Sequence, residues 1–412
     1  MQHPVTQRLV FYCPGYDAEA DTRYRRVLGI GLGQLRRRFG IERTIGPIET
    51  DDAVPSLRWG IVASGKTWRT ETVYEVLRWD DIVKRDFSRN WFERIPNLIT
   101  CMLGVLRDGL LPKLFRLDWH FACLVIFPWV ALFSLILPAL AIGYLAAWAI
   151  VPAMPLAPEV KALAALALAV AAIAVAQPFL KRSFVYHLLD DWIFNWQHGT
   201  GQRADIDARL DSFGARIVEA VHQTAAQEVL IVGHSSGSIL AVEVVARALA
   251  RDPDFGKHGP SVALLTIGAE LPVVAYLRNA ERFRQAIVRL ATATSLLWVE
   301  YQAPQDVLNA YGFEPIRDLG LDLGGRPQTN PQIRSPTFKE TLSPRTYRKL
   351  KWNFFRMHFQ FLMPIEIPGE YDYPMIVCGP VALADRIAHP KASVRYTYGL
   401  RRQAGRRSCV AS

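Results

Sequence analysis

The chain has 412 residues, a net charge of +10 at pH 7 and a hydrophobic share of 50%, enough for one large domain or two smaller ones. Its arginines fall in short scattered runs, Arg36-Arg37-Arg38, Arg401-Arg402 and Arg406-Arg407. No nucleic-acid-binding signature lies among them, so the basic balance suits an anionic membrane face and not DNA or RNA. Five widely spaced cysteines (Cys13, Cys101, Cys123, Cys378, Cys409) include no C-x-x-C pair, which argues against a disulfide framework or structural zinc and fits a reducing compartment.

The N-terminus carries no basic-then-apolar signal pattern and leads directly into a strand at residues 8–12. Pro14-Gly15-Tyr16-Asp17 reads as a turn, and residues 21–39 as a helix capped at Asp21 or Thr22. Strand-like segments come next at 42–48, 58–63 and 70–79, the last alternating as a half-buried strand does. Residues 97–117 are apolar on one side and read as a helix lying along a surface.

Residues 121–151 carry no charge. A straight helix of that length spans ~45 Å, more than the ~30 Å hydrocarbon core needs, so Pro128 and Pro138 are expected to kink or tilt it. After a break at 152–159 with three prolines, residues 160–180 form a second apolar run, rich in alanine. Arg107, Lys113 and Arg116 precede the pair, Lys181 and Arg182 come after it, and the break between has no Lys or Arg. The positive-inside rule then places both flanks in the cytoplasm, with two transmembrane helices between them.

Residues 184–196 carry a helical stripe of Phe184, Leu188, Trp192 and Trp196, and 205–225 read as a further helix. The short apolar run 228–232 then predicts a buried strand, with Gly233-His234-Ser235-Ser236-Gly237 and a helix over 238–250 after it. Strand, G-x-S-x-G, helix is the pattern of a nucleophile elbow, where flanking glycines let strand and helix approach and a tight turn lifts the serine hydroxyl above the sheet. Beyond it, 262–267 and 295–301 read as strands, 274–292 as mostly helix and 303–344 as loop. Residues 349–357 read as a last strand, 374–388 as a last helix, and the tail from 400 as disordered.

A serine nucleophile needs a base within hydrogen-bond reach and an acid to orient that base. Asp306 comes after the strand at 295–301, and His358 after the expected strand at 349–357. Strand ends on one edge of a parallel sheet are where such residues converge. Asp318 and Asp322 are rivals to Asp306 in the same loop, and His389 is a fallback base. A competing motif, Gly60 to Thr67, fits G-x-x-x-x-G-K-[ST]. A phosphate-binding loop must open a helix, but the residues after Lys66 alternate like a strand, so Ser64-Gly65-Lys66 reads as a hairpin turn.

Taken together, Pro14-Gly15-Tyr16, Gly233-His234-Ser235-Ser236-Gly237, Thr266-Ile267-Gly268, Gln305-Asp306-Val307 and Met357-His358 resemble an α/β-hydrolase of the lipase/esterase type. The resemblance covers the segments outside the apolar runs. It implies a mostly parallel sheet flanked by helices, an order Ser235, Asp306, His358 for the triad, and an oxyanion hole formed by the N–H groups of Tyr16 and Ser236. Its first two strands are missing here or replaced by the pieces between 42 and 63, and proline stands where the oxyanion loop often opens with histidine.

The expectation is therefore an α/β protein in which residues 1–96 and 201–399 build one hydrolase domain. Residues 97–200 form a membrane-associated insertion, and 400–412 a disordered tail. The expected activity is a membrane-anchored serine hydrolase cleaving an ester or thioester, its partners being membrane lipids and that substrate, with no cofactor, metal or nucleic acid. A non-catalytic protein on the same fold, binding a lipid or a protein, is the alternative, with a P-loop nucleotide-binding protein the less favoured one.

Overall fold

The computed structural model describes residues 4–51, 53–150 and 157–400. Most of the proline-bearing break and the tail beyond 400 lie outside these residues. The chain is an α/β protein built on a mostly parallel mixed sheet with helices on both faces. In chain order the strands are β1 (Gln7–Cys13), β2 (Glu42–Ile45), β3 (Glu49–Asp51), β4 (Ser56–Ser64), β5 (Arg69–Leu77), β6 (Glu228–His234), β7 (Ser261–Ile267), β8 (Leu297–Tyr301) and β9 (Gln332–Arg334). Across the sheet the order is β2-β4-β5-β1-β6-β7-β8-β9, with β3 beside β4. From β5 to β9 all neighbours are parallel, while β4 runs antiparallel to β2, β3 and β5.

The central strands are buried on both faces because successive side chains enter opposite cores. Leu9, Phe11, Val229 and Ile231 belong to one core, with the helices Ala204–Gln223 and Gly237–Arg251. Val10, Tyr12, Leu230 and Val232 belong to the other, with the helix Ala20–Phe39 and the C-terminal helices. A buried ion pair ties the sheet to the C-terminal region. Arg8 Nε donates to Glu228 Oε2 at 2.6 Å, and its other nitrogens donate to the carbonyls of Gly379 and Val381.

The register brings the site together. Cys13 pairs with Gly233, His234 with Ile267, and Ile267 with Tyr301. The C-terminal ends of β1, β6, β7 and β8 are therefore level, and the loops that leave them meet above one sheet edge.

The hairpin expected at Ser64-Gly65-Lys66 is present. Ser64 pairs with Arg69, and the Gly65 N–H donates to the Trp68 carbonyl at 3.0 Å. No helix opens after Lys66, so the strand-loop-helix that a phosphate-binding loop requires does not form there.

Several boundaries differ from expectation. Residues 349–357 are not a strand. They fall in two helices, Pro344–Leu350 and Phe354–Phe359, capped by the side chains of Ser343 and Asn353. The aromatic run imitates strand composition, whereas the caps and Pro344 at the first helical turn set the local structure. Among the described residues the last strand is β9, inside the region read as loop, which also holds the short helices Pro315–Leu319 and Phe338–Thr341. Residues 97–117 belong to two helices, Trp91–Arg107 and Leu110–Leu117, divided at Gly109 with φ +63°. The helices expected at 274–292 and 374–388 are likewise broken, and Pro390–Tyr398 is the last helix among the described residues.

Between β5 and β6 lie the helices Trp119–Ile150, with Pro128 and Pro138 inside it, and Pro158–Arg182. They pack together, and a Cβ on Gly143 would collide with the Ala165 carbonyl. Among the described residues one helix, Trp119–Leu145, is long and apolar enough to cross a membrane. Only 17% of its most apolar window is buried, which distinguishes it from the helices of the core. The second expected span falls in the helix Pro158–Arg182, but among the described residues no second helix meets that test.

Candidate active site

The seven residues of β6 are all buried, and the chain turns at once into the helix Gly237–Arg251. Ser235 takes φ +58°, a left-handed conformation that costs a non-glycine residue energy. The turn is held by Ser235 N–H on the Ile267 carbonyl at 3.2 Å and by the N–H and Oγ of Ser238 on the Ser235 carbonyl. The flanking glycines are there for space. A Cβ on Gly233 would sit 2.6 Å from Ser238 Cα, and one on Gly237 would collide with the carbonyls of Cys13 and Pro14. This is the geometry that the G-x-S-x-G spacing predicts.

Asp306 lies in the turn after β8. Asn309 braces that turn through both backbone groups of Ala303, and Asp306 Oδ1 accepts the Leu308 N–H at 3.0 Å. Asp306 Oδ2 lies 2.7 Å from His358 Nδ1, and both residues are buried. His358 comes from the helix Phe354–Phe359, so the expected residue arrives on an unexpected element. Its ring rests on Gly268, where a Cβ would approach Cε1 to 2.8 Å. His358 Nε2 is buried without a hydrogen-bond partner. It lines the same cavity of about 280 Å³ as Ser235. His234 stacks on His358 with ring centroids 4.5 Å apart, and burial together with that neighbour holds its pKa well below the usual range. His234 is therefore a neutral packing partner.

The rivals lie elsewhere. Asp318 is engaged by Arg317 and the Glu314 N–H, Asp322 accepts the Gly324 N–H, and His389 sits between two C-terminal helices.

Two hydrogen bonds depart from expectation. The Ser235 hydroxyl donates to Glu270 Oε1 at 2.6 Å. The Tyr16 N–H, expected to face an oxyanion, donates instead to Ser236 Oγ at 2.9 Å. Asp191, which lines the same cavity, accepts from Asn195 Nδ2 at 3.1 Å. The Tyr16 side chain is structural, packed with Trp79, Phe87 and Phe194 and reaching Asp86 Oδ2. Burial pushes Glu270 up to about 7, and the nearby charge of Asp306 adds to the shift. Burial, then the charge of Glu270, raises Asp191. Glu270 stands just past the end of β7, at the same sheet edge as Ser235, and its charge within an apolar stretch is the only sequence signal it gives. Asp191 shows itself in sequence only as an acid among the aromatic residues of its helix.

Phe87, Phe184, Phe355 and Phe359 wall the cavity. Phe184 and Phe355 meet with centroids 4.3 Å apart, and Phe184 lies two positions after the helix Pro158–Arg182 ends. Elsewhere, His198, Asp207 and Glu243 are close enough for a metal. Arg247 binds both carboxylates and Arg282 binds Asp207, so an ion-pair network occupies that position. Compared with protein-family models, curated proteins and solved structures, the chain matches none.

Proposed function

We propose that the protein is a membrane-anchored serine hydrolase of the α/β-hydrolase type that cleaves an ester or thioester of a lipid. The observation that carries this reading is the left-handed Ser235 between strand and helix, in one cavity with a His358 whose Nδ1 is held by Asp306 and whose Nε2 has no partner. A lipid substrate is supported by Phe184, which lines that cavity directly after the second apolar helix. This reading uses two crossings with the basic flanks on the cytoplasmic side, an even number being compatible with β5 and β6 both pairing with β1.

In this reading the Ser235 hydroxyl turns from Glu270 to His358. Its proton passes to Nε2 while Oγ bonds the carbonyl carbon and the carbonyl electron pair moves to oxygen. Asp306 keeps the Nδ1 proton in place and offsets the imidazolium charge. The Ser236 N–H meets the oxyanion, and the Tyr16 N–H joins it once the Ser236 hydroxyl rotates away. Collapse expels the alkoxide or thiolate, which takes the proton from Nε2. Water, activated by the same imidazole, then releases the acyl group.

The resting hydrogen bonds favour a second reading, a non-catalytic lipid-binding protein, because Ser235 and Tyr16 are both engaged elsewhere. A fluorophosphonate probe on the full chain in detergent separates the two. Labelling that disappears in Ser235→Ala supports the hydrolase. A folded wild type that takes no label supports the binding protein.

A further inference from the structure

Among the proton acceptors that line the cavity with Ser235 are the carboxyl of Glu270 and Nε2 of His358. A serine hydroxyl has one proton to give. It is given to Glu270 at 2.6 Å, while Nε2 is buried and has no partner. The bond is short, as expected when a hydroxyl donates to a carboxylate. Removing that carboxylate's charge reverses the preference. A carboxylic acid has a donor of its own, so it can donate to Ser235 Oγ and leave the hydroxyl proton for the imidazole.

Resting on the hydrolase reading, we propose that Glu270 positions the nucleophile, holding the Ser235 hydroxyl on its own oxygen when ionised and releasing it to His358 when protonated. The surroundings favour protonation near neutrality. Glu270 is buried and its pKa is pushed up to about 7 even with the Ser235 bond pulling the other way. Asp306 faces it from the loop after β8, Asp191 from the helix Val185–Gly199, and His358 and His234 from above the elbow. Asp191 lines the same cavity as Ser236, whose hydroxyl accepts the Tyr16 N–H.

The other charges nearby are engaged. Arg23, in the cavity wall, is held by Asp17 and Glu19. His187 is driven down to about 4 by burial, then by Arg23, and is neutral. On the helices packed against the Glu270 segment, Asp190 is held by Arg94, Arg247 holds Glu243, Arg284 holds Glu281 and Arg317 holds Asp318. None of these arginines neutralises Glu270 through a direct ion pair.

The test is the rate of fluorophosphonate labelling of the full chain in detergent, measured from pH 5.5 to 9. Wild type should fall above about pH 7, reaching roughly 30-fold below its plateau at pH 8.5 as Glu270 ionises. In Glu270→Gln, whose amide is a permanent donor to Oγ, that fall should vanish. The variant should then label faster than wild type at pH 8.5. A structural role would lower the rate at every pH without moving the profile. An unchanged alkaline fall in Glu270→Gln overturns the proposal. So does a variant that melts like wild type but labels at no pH, since Glu270 would then be an obligatory base. If the variant does not fold, the wild-type profile decides: a rate that keeps rising to pH 9 refutes the proposal. Labelling that survives Ser235→Ala overturns the hydrolase reading itself, whereas labelling lost in Ser235→Ala with the profile unmoved by Glu270→Gln overturns this inference alone.

Discussion

Asp306→Asn tests the proposed triad with a change of one atom. Asp306 Oδ2 accepts from His358 Nδ1 at 2.7 Å, and Oδ1 accepts the Leu308 N–H at 3.0 Å. An asparagine in this place can satisfy only one of these as an acceptor. With its carbonyl kept on Leu308, its NH₂ faces Nδ1, and the imidazole must carry its proton on Nε2 instead. Nε2 can then no longer take the Ser235 proton. Flipping the amide restores Nδ1 but sets two donors against each other at Leu308, in a buried site where an unsatisfied group costs about 1–3 kcal/mol. A wrong tautomer of this kind lowers turnover by about 10⁴ in a serine-protease triad, or ~5 kcal/mol of transition-state stabilisation. The expected result is therefore a fall of about 10³- to 10⁴-fold in the second-order rate of fluorophosphonate labelling. Thermal unfolding, measured in the same preparation, should shift little, because volume and most hydrogen bonds are kept. A fall of less than tenfold in a folded variant would refute the role of Asp306 as the orienting acid.

Two further predictions concern stability. Glu300, buried on β8, accepts from Gln302 Nε2 at 2.6 Å and Thr266 Oγ1 at 3.2 Å, yet burial pushes its carboxyl up to about 7. A folded pKa above the unfolded one gives stability that is complete below about pH 4 and is lost as pH rises through 7, on the order of 3 kcal/mol. Glu300→Gln should accordingly raise the melting temperature relative to wild type at pH 8 and not at pH 4, and parallel melting curves across that range would contradict the assignment. Glu228→Gln should cost about 3–5 kcal/mol in urea unfolding, because it leaves the buried Arg8 guanidinium without its counter-charge; an unchanged midpoint would show that the backbone carbonyls of Gly379 and Val381 suffice to hold Arg8.

The features legible in the sequence are local ones. The elbow is legible because a strand, two glycines and a helix are contiguous, and each has its own signal at 228–250. The β4–β5 hairpin is legible because alternation on both sides of Ser64-Gly65-Lys66 outweighs the phosphate-loop pattern. His358 is the imidazole beside Asp306, as expected, but it stands on a helix and not on the expected strand. The capping side chain of Asn353 weighs more in the local energetics than the aromatic composition that suggests a sheet. Glu270 is not legible, because its meaning lies in a hydrogen bond to a residue 35 positions earlier. The sequence shows a charge in an apolar stretch and gives no sign of the group it faces. The same is true of Ser236, identified from its backbone N–H although its side chain already holds the Tyr16 N–H.

The insertion between β5 and β6 contributes to the cavity itself. From the sequence, residues 97–200 are expected to form a membrane-associated unit beside a hydrolase domain. Yet β5 and β6 both pair with β1, so the insertion leaves and re-enters the sheet on either side of the strand that leads into Gly15 and Tyr16. Its final helix, Val185–Gly199, then lies over the elbow. Phe184, His187 and Asp191 line the cavity with Ser235, and Arg94, from the helix Trp91–Arg107 at the start of the insertion, binds Asp190 on that same helix. In the proposed hydrolase, the apolar helices and the cavity-lining carboxyl of Asp191 are therefore joined within one short stretch of chain. Removing the insertion would remove a wall of the cavity, Asp191 included.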